Sequence, residues 1–170
     1  MSTRLEDYSI NVKAALNDIT INWLIETSGE VAAHAAKNCQ MAIGGDKEGE
    51  QLKQSYRNVV DEDEGEAIVG SPRESVYWEE FGTGSHAAHG DGRKGWWVYV
   101  KNGETRSKTG QTYNNREEAE AIAASMQAEG IDAYATNGRE PNYTLEKAFK
   151  QTKAKAQRRL EQLLSEGMNE

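Results

Sequence analysis

The chain has 170 residues, of which 36% are hydrophobic and 28% charged, and its 28 acidic and 20 basic residues give a formal net charge of −8. This length fits one domain with a small appended module, and the acidic balance argues against a protein that coats nucleic acid, because phosphate binding needs clustered Lys and Arg. The single cysteine, Cys39, excludes an intramolecular disulfide and any all-cysteine zinc site. Since the apolar content is low for this length, either long helices project into solvent or contacts between subunits supply burial that one chain lacks. The aromatic segment described below agrees with the second interpretation.

The N-terminal part of the chain predicts one long amphipathic helix. Residues 12–42 contain no proline, and apolar or small residues recur at helical spacing. These residues are Leu16, Ile19, Trp23, Ser28, Val31, Ala35 and Cys39. Gly29 is a point where the helix could bend or divide, and Gly44-Gly45 is expected to end it.

Short strands are predicted to follow the helix. A polar loop over 46–51 leads to strands at 55–60, 67–69 and 75–81, with an acidic hairpin tip from Asp61 to Glu66. Three strands at such short spacing indicate an antiparallel meander. We expect the N-terminal helix to cover one of its faces.

The third predicted strand runs from aromatic and acidic residues into a glycine turn. Because a strand sends alternate side chains to opposite sides, each face would carry bulky rings beside a charge. Val76, Trp78 and Glu80 would share one face. Tyr77, Glu79 and Phe81 would share the other face, so Glu79 and Glu80 could not act together as an acid/base pair. This pattern favours a strand packed on its own core on one side and on a neighbouring subunit on the other.

The stretch Tyr-Trp-Glu-Glu-Phe-Gly-Thr-Gly resembles the aromatic-Glu-Phe-Gly-Thr motif of the head–tail joining and tail-completion (phage neck) proteins of long-tailed bacteriophages. The resemblance covers residues 10–84 and 139–165. It implies an α+β fold, in which a long N-terminal helix and a C-terminal helix pack on a small antiparallel sheet. It also implies a structural virion protein without a catalytic site, cofactor or bound metal.

The resemblance further implies partners and a location. Such proteins form a ring, expected to be sixfold, that acts as tail terminator between the tail tube protein and the head connector. The genome passes through the ring lumen without sequence-specific binding, and the virion is assembled in the host cytoplasm. The expected subunit interface comprises Tyr77, Trp78, Glu79, Glu80, Phe81, Gly82, Thr83 and Gly84.

The segment 85–138 is predicted to be an insertion into a discontinuous core of residues 1–84 and 139–170. A loop over 85–94 precedes a strand at 96–101, and Asn102-Gly103 is a strong hairpin signal. Asn115 caps a predicted helix that buries Ala119, Ile122, Ala123 and Met126 and ends at Gly130. A strand over 131–136 completes a β-hairpin–helix–strand module.

The last helix is predicted over 144–165, after Pro141. Its expected buried stripe consists of Leu145, Phe149, Thr152, Ala156, Leu160 and Leu163. Its outer faces are basic, with Lys147, Lys150, Lys153, Lys155, Arg158 and Arg159. A basic helix on an acidic chain favours head-to-tail packing between identical copies.

Three alternatives remain open from the sequence. The chain could be a minor capsid or neck protein on the head side, which needs the same core. It could be a metal-dependent hydrolase that uses His86, His89 and Asp91, although these residues lie in a glycine-bounded loop without helical spacing. Finally, residues 95–138 could be a glycan-binding module, because the strand–helix–strand part of the insertion is similar to sporulation-related glycan-binding repeats.

No segment has the length of a membrane span, and no signal peptide is evident, so we expect a soluble protein.

Overall fold

This computed structural model describes residues 9–41, 47–101 and 110–167, with side chains from residue 17 onwards. The described part of the chain combines α-helices with two small antiparallel sheets, so the predicted α+β class is confirmed. The elements are α1 (Ser9–Asn38), α2 (Lys47–Ser55), β1 (Arg57–Asp61), β2 (Glu66–Gly70), α3 (Ser75–Phe81), β3 (Trp97–Val100), α4 (Arg116–Ala128), β4 (Ala133–Thr136) and α5 (Thr144–Gly167). None of these helices is long and apolar enough to cross a bilayer.

The chain divides into two compact units. The first comprises Met1–Val76 and Thr144–Glu170, and the second is Tyr77–Tyr143. The predicted insertion began at residue 85 and ended at 138, whereas the second unit also takes in the segments on either side. The reason is that residues 79–85 hydrogen-bond to residues 137–143, so the two ends of the insertion belong together.

In the first unit, α1 packs against α5 and against the β1–β2 hairpin. The predicted long helix is confirmed, and it runs through Gly29 as one uninterrupted α-helix. Trp23 Nε1 donates a hydrogen bond of 2.8 Å to the Ala156 carbonyl oxygen, which ties the two helices together. The predicted helix end at Gly44-Gly45 lies outside the described residues; α1 itself ends at Asn38.

The buried stripe of α5 differs in part from the prediction. Thr152 and Ala156 are buried as expected, but so are Thr144 and Ala148, while Phe149 is 56% exposed. The four buried residues recur every fourth position and are all small, which allows the backbones of α1 and α5 to approach closely. A phenylalanine on that line would hold the helices apart, so Phe149 lies at the edge of the contact.

The hairpin is confirmed, with β1 and β2 antiparallel and Val59 opposite Ile68. Its inner face is tied to α1 by Asn58, whose Nδ2 donates to Ser28 Oγ at 2.7 Å. At the tip, Asp61 Oδ1 accepts hydrogen bonds from the backbone N–H groups of Asp63 and Glu64. An aspartate that binds the backbone two and three residues on stabilises such a turn.

The predicted loop over 46–51 is wrong, because Lys47–Ser55 forms α2. Leu52 is completely buried and anchors this short helix. Glu48 in its first turn accepts hydrogen bonds from Arg73 Nη2 at 2.7 Å and from Ser75 Oγ at 2.8 Å. These tertiary contacts outweigh the poor helix propensity of a segment that contains Gly49.

The predicted third strand is also wrong. Ser75–Phe81 is helix α3, so the first sheet has two strands in the described residues and not three. The mixture of bulky aromatic and acidic residues at 77–81 favoured a strand packed on both faces, but seven residues are too few for a helical period to be visible in a sequence.

The second unit is built around one apolar cluster. β3 pairs antiparallel with β4, and α4 covers one face of this sheet through Ala119, Ala123 and Met126. The predicted helix cap is confirmed, since Asn115 Oδ1 accepts from the Glu118 N–H at 2.9 Å. The predicted hairpin turn at Asn102-Gly103 lies outside the described residues, although Trp96 forms a bridge with Tyr113.

Candidate subunit interface

The glutamates of the Tyr77–Gly84 motif both point inward. As neighbours in a strand they would lie on opposite faces, but in α3 both are buried, Glu79 with 1% of its surface exposed and Glu80 with 8%. The strand geometry that placed the two carboxylates on opposite faces is therefore wrong. Adjacent positions on a helix are about 100° apart, so both side chains can be buried while their neighbours remain exposed.

The buried Glu79 binds the last segment of the second unit. Its Oε1 accepts a hydrogen bond of 2.8 Å from Asn142 Nδ2, and Arg139 Nη2 lies 3.7 Å from its Oε2. The backbone joins in, because the N–H of Asn142 donates to the Glu79 carbonyl at 3.0 Å and that of Tyr143 to the Glu80 carbonyl at 3.2 Å. These carbonyls belong to the last turn of α3, where helical partners are missing.

The glycine turn continues the same contact. Gly82 has a φ of +71°, the left-handed conformation that commonly ends a helix. Beyond it, the Thr83 N–H donates to the Arg139 carbonyl at 2.9 Å, and the Arg139 N–H donates to Thr83 Oγ1 at 3.0 Å. A Cβ at Gly84 would lie 2.3 Å from the Asn137 carbonyl oxygen, so only glycine fits there. The second half of the motif thus holds the first and last segments of the unit together.

The first two residues of the motif face solvent. Trp78 is 42% exposed and Tyr77 is exposed to a similar degree. Tyr77 packs on Phe81, with ring centroids 5.0 Å apart, and Phe81 in turn contacts the ring of His89 at 4.7 Å. Two neighbouring aromatic side chains are therefore presented from a backbone that is fixed by the buried contacts of Glu79 and Glu80.

The three residues considered for a metal site do not share contact partners. His86 Nδ1 lies 2.6 Å from Glu140 Oε1, and its Nε2 lies 3.4 Å from Asn137 Oδ1. The ring of His89 contacts that of Phe81 in a tilted arrangement, and Asp91 is exposed. Across the described ranges 9–41, 47–101 and 110–167, no group of three His, Cys, Asp or Glu side chains is arranged to hold a metal ion.

A second aromatic surface lies on the sheet of the second unit. Tyr99 and Tyr134 are paired across β3 and β4, both exposed, with ring centroids 5.7 Å apart. The Arg93 guanidinium lies 5.0 Å from the centre of the Trp97 ring on the same side. A hydrogen bond to Asp132 raises the pKa of Tyr134, because removing the phenolic proton would place two negative charges together. The aromatic run Trp96-Trp97-Val98-Tyr99 is visible in the sequence, but no local pattern pairs it with Tyr134.

A third apolar surface, on the first unit, was not anticipated. Val59 and Ile68, on the outer face of the hairpin, are 61% and 71% exposed. Beside the hairpin lies an apolar groove of about 330 Å³. It is lined by Trp23, Leu24, Thr27, Ser28, Val31, Ala67, Val69, Leu145 and Phe149. The only sequence signal was the pairs Val59-Val60 and Ile68-Val69, which make both faces of the hairpin apolar.

Comparison with family models, with curated proteins and with solved structures found no match to this chain.

Proposed function

We propose that this protein is a structural virion protein of a long-tailed phage, which forms a ring at the head–tail interface, completes the tail and joins it to the head connector. The observation that carries the proposal is the exposed pair Tyr77 and Trp78, which is followed directly by the buried Glu79 and Glu80. Large aromatic side chains on a fixed backbone are the residues that most often dominate protein–protein contacts.

The division of the motif into exposed aromatic side chains and groups that bind within the unit supports a binding role. Glu79 is engaged by Asn142 and Arg139, and the glycine turn is engaged by residues 137–139, so these groups maintain the backbone. What remains for a neighbour is an aromatic surface. A ring of identical copies needs such a surface to meet a different surface of the next copy, with the rotation closing on itself.

The charge of the chain agrees with a channel through which DNA passes. Five acidic residues crowd the hairpin tip, and the chain carries a net charge of −8. They are Asp61, Glu62, Asp63, Glu64 and Glu66. Facing the lumen, the turn residues Glu62, Asp63 and Glu64 would repel phosphates and let a genome move without adhering. The proposed partners are a tail tube protein on one side and head connector proteins on the other.

The test is assembly by the full-length chain on purified tail tubes, followed by electron microscopy of the tube ends. We expect wild-type protein to cap the ends as a ring and Trp78→Ala to lose capping. Tyr99→Ala is the matched control, because Tyr99 is 45% exposed in the same unit but lies outside the motif. Capping that survives Trp78→Ala removes the motif from the interface. Binding to connector-bearing heads instead of tubes would place the protein on the head side of the neck.

A further inference from the structure

The outer face of the hairpin and the exposed edge of α5 are complementary surfaces on the same unit. The hairpin carries the apolar pair Val59 and Ile68, and the next outward pair along the strands is Asp61 and Glu66. On α5, the exposed Phe149 is followed by Lys153 one turn later on the same face. Each surface therefore presents an apolar position and then a charged one, with opposite charges on the two.

The spacing of these positions also matches. Two residues along a strand advance about 6.6 Å. Four residues along an α-helix advance about 6.0 Å. With Ile68 placed on Phe149, Glu66 would consequently lie beside Lys153. Among the described residues, neither Glu66 nor Lys153 makes an ion pair.

One copy of the chain cannot satisfy this complementarity by itself. The inner residues of the hairpin, such as Asn58 and Val69, face α1 and the groove, so Val59 and Ile68 point away from their own α5. The apolar groove beside Phe149 offers room for an aliphatic side chain from outside. A second copy carries the fitting hairpin, with both the apolar pair and the negative charges.

We infer that the outer face of the β1–β2 hairpin of one copy docks on the Phe149–Lys153 edge of α5 in the next copy, with Ile68 at the mouth of the groove. The two surfaces are different, so the contact is head-to-tail and continues from copy to copy until a ring closes. This inference rests on the proposed ring and names the surfaces that join its subunits, in addition to the aromatic motif.

Cysteine cross-linking tests the contact directly. In a Cys39→Ala background, Ile68→Cys protein is mixed with mass-tagged Phe149→Cys protein under mild oxidation. We expect a disulfide between the two variants, and little in either variant alone. Glu161→Cys is the control for position 149, since it is exposed on α5 about 18 Å further along the helix and should not cross-link. A 68–68 disulfide, or no disulfide, overturns the inference.

Charge exchange provides a second, independent test. Glu66→Lys and Lys153→Glu should each weaken self-association about tenfold or more, because each places like charges together. The double variant that combines Glu66→Lys with Lys153→Glu should recover most of the lost self-association. Glu62→Lys changes the net charge equally at the hairpin turn and is expected to have a smaller effect. Weakening by Glu66→Lys without recovery in the double variant overturns the pairing.

The outcomes separate this inference from the proposed function. A ring that caps tail tubes but lacks the 68–149 disulfide leaves the function in place and removes this contact. A 68–149 disulfide in a protein that never caps tubes or binds heads keeps the contact and removes the phage assignment.

Discussion

Asn142 donates a hydrogen bond of 2.8 Å to the carboxylate of Glu79, although 63 residues separate them and both side chains are buried. A buried carboxylate needs such donors, because leaving water without them costs several kcal/mol, on the order of the stability of a domain. The contact explains why an acidic residue occurs in the middle of an aromatic motif. It binds the returning chain, and it also fixes the position of the exposed Trp78.

Removing the donor should destabilise the second unit. Asn142→Ala leaves the Glu79 carboxylate buried with one partner fewer, which should lower the free energy of unfolding by about 1–3 kcal/mol. The measurement is urea unfolding followed by tryptophan fluorescence, with exposed Glu129→Ala as control. Unfolding curves of Asn142→Ala and wild type that coincide would show that the hydrogen bond is dispensable.

Gly84 should be far less tolerant of alanine than Gly130. Both have positive φ, at +61° and +81°, so both substitutions carry a conformational cost of about 1–2 kcal/mol. Only at Gly84 would the new Cβ also meet a backbone oxygen at 2.3 Å, whereas nothing lies within 4 Å at Gly130. Thermal unfolding of the two variants should show a clearly larger loss for Gly84→Ala. Equal losses would mean that packing around Gly84 is not restrictive.

Glu48 should contribute stability at neutral pH that is lost in acid. Hydrogen bonds from Arg73 and Ser75 lower the pKa of Glu48 below its ordinary value of 4.5. A carboxyl whose pKa is lower in the folded state stabilises the fold above its ordinary pKa, and this stabilisation disappears as pH falls through the folded value. Since the side chain is 42% exposed, we expect only about 0.2–1 kcal/mol from the pair.

The check is the difference in urea midpoint between wild type and Glu48→Gln. The difference should be measurable at pH 7 and shrink below pH 4.5, where the wild-type carboxylate becomes protonated. A difference that stays constant over this range would show that the carboxylate charge does not matter. Glu50→Gln, on the same helix and without these partners, serves as the control.

Trp78→Ala should separate folding from assembly. Because Trp78 is 42% exposed, its removal should cost about 1–3 kcal/mol in the free energy of unfolding, less than the loss of a fully buried tryptophan, and should leave the chain folded. A hot-spot aromatic at an interface typically costs about 2 kcal/mol or more in binding, which is roughly thirtyfold in affinity. Circular dichroism and sedimentation of the same samples compare the two effects. A variant that assembles like wild type would contradict the interface assignment.

The sequence predicts those elements whose signals are local. The period of α1, the turn between β1 and β2, and the Asn115 cap of α4 each lie within a few residues of the element they define. The elements that were missed depend on distant partners. α3 is fixed by residues 137–143, and α2 by Arg73 and Ser75. Phe149 was predicted to be buried because it falls on the apolar stripe of α5, whereas close packing on α1 selects the small Ala148.

In the candidate site, too, the sequence shows what is local and misses what depends on distant contacts. The sequence singled out residues 77–84 as a segment with more aromatic and charged groups than one face could bury. It could not show that Glu79 and Glu80 turn inward while Tyr77 and Trp78 remain exposed, because that depends on α3 being a helix. The exposed pair Val59 and Ile68 was hidden for a related reason, since apolar residues in a strand are normally assigned to the core.

The proposed ring at the end of a phage tail is tested most directly by the mass in solution. We would measure it by light scattering after gel filtration, over a wide concentration range with and without purified tail tubes. We expect a closed ring, about 113 kDa for six copies of the 18.9 kDa chain, either alone or on the tube ends. A monomer of 18.9 kDa that persists at every concentration and does not bind the tubes would rule out the ring.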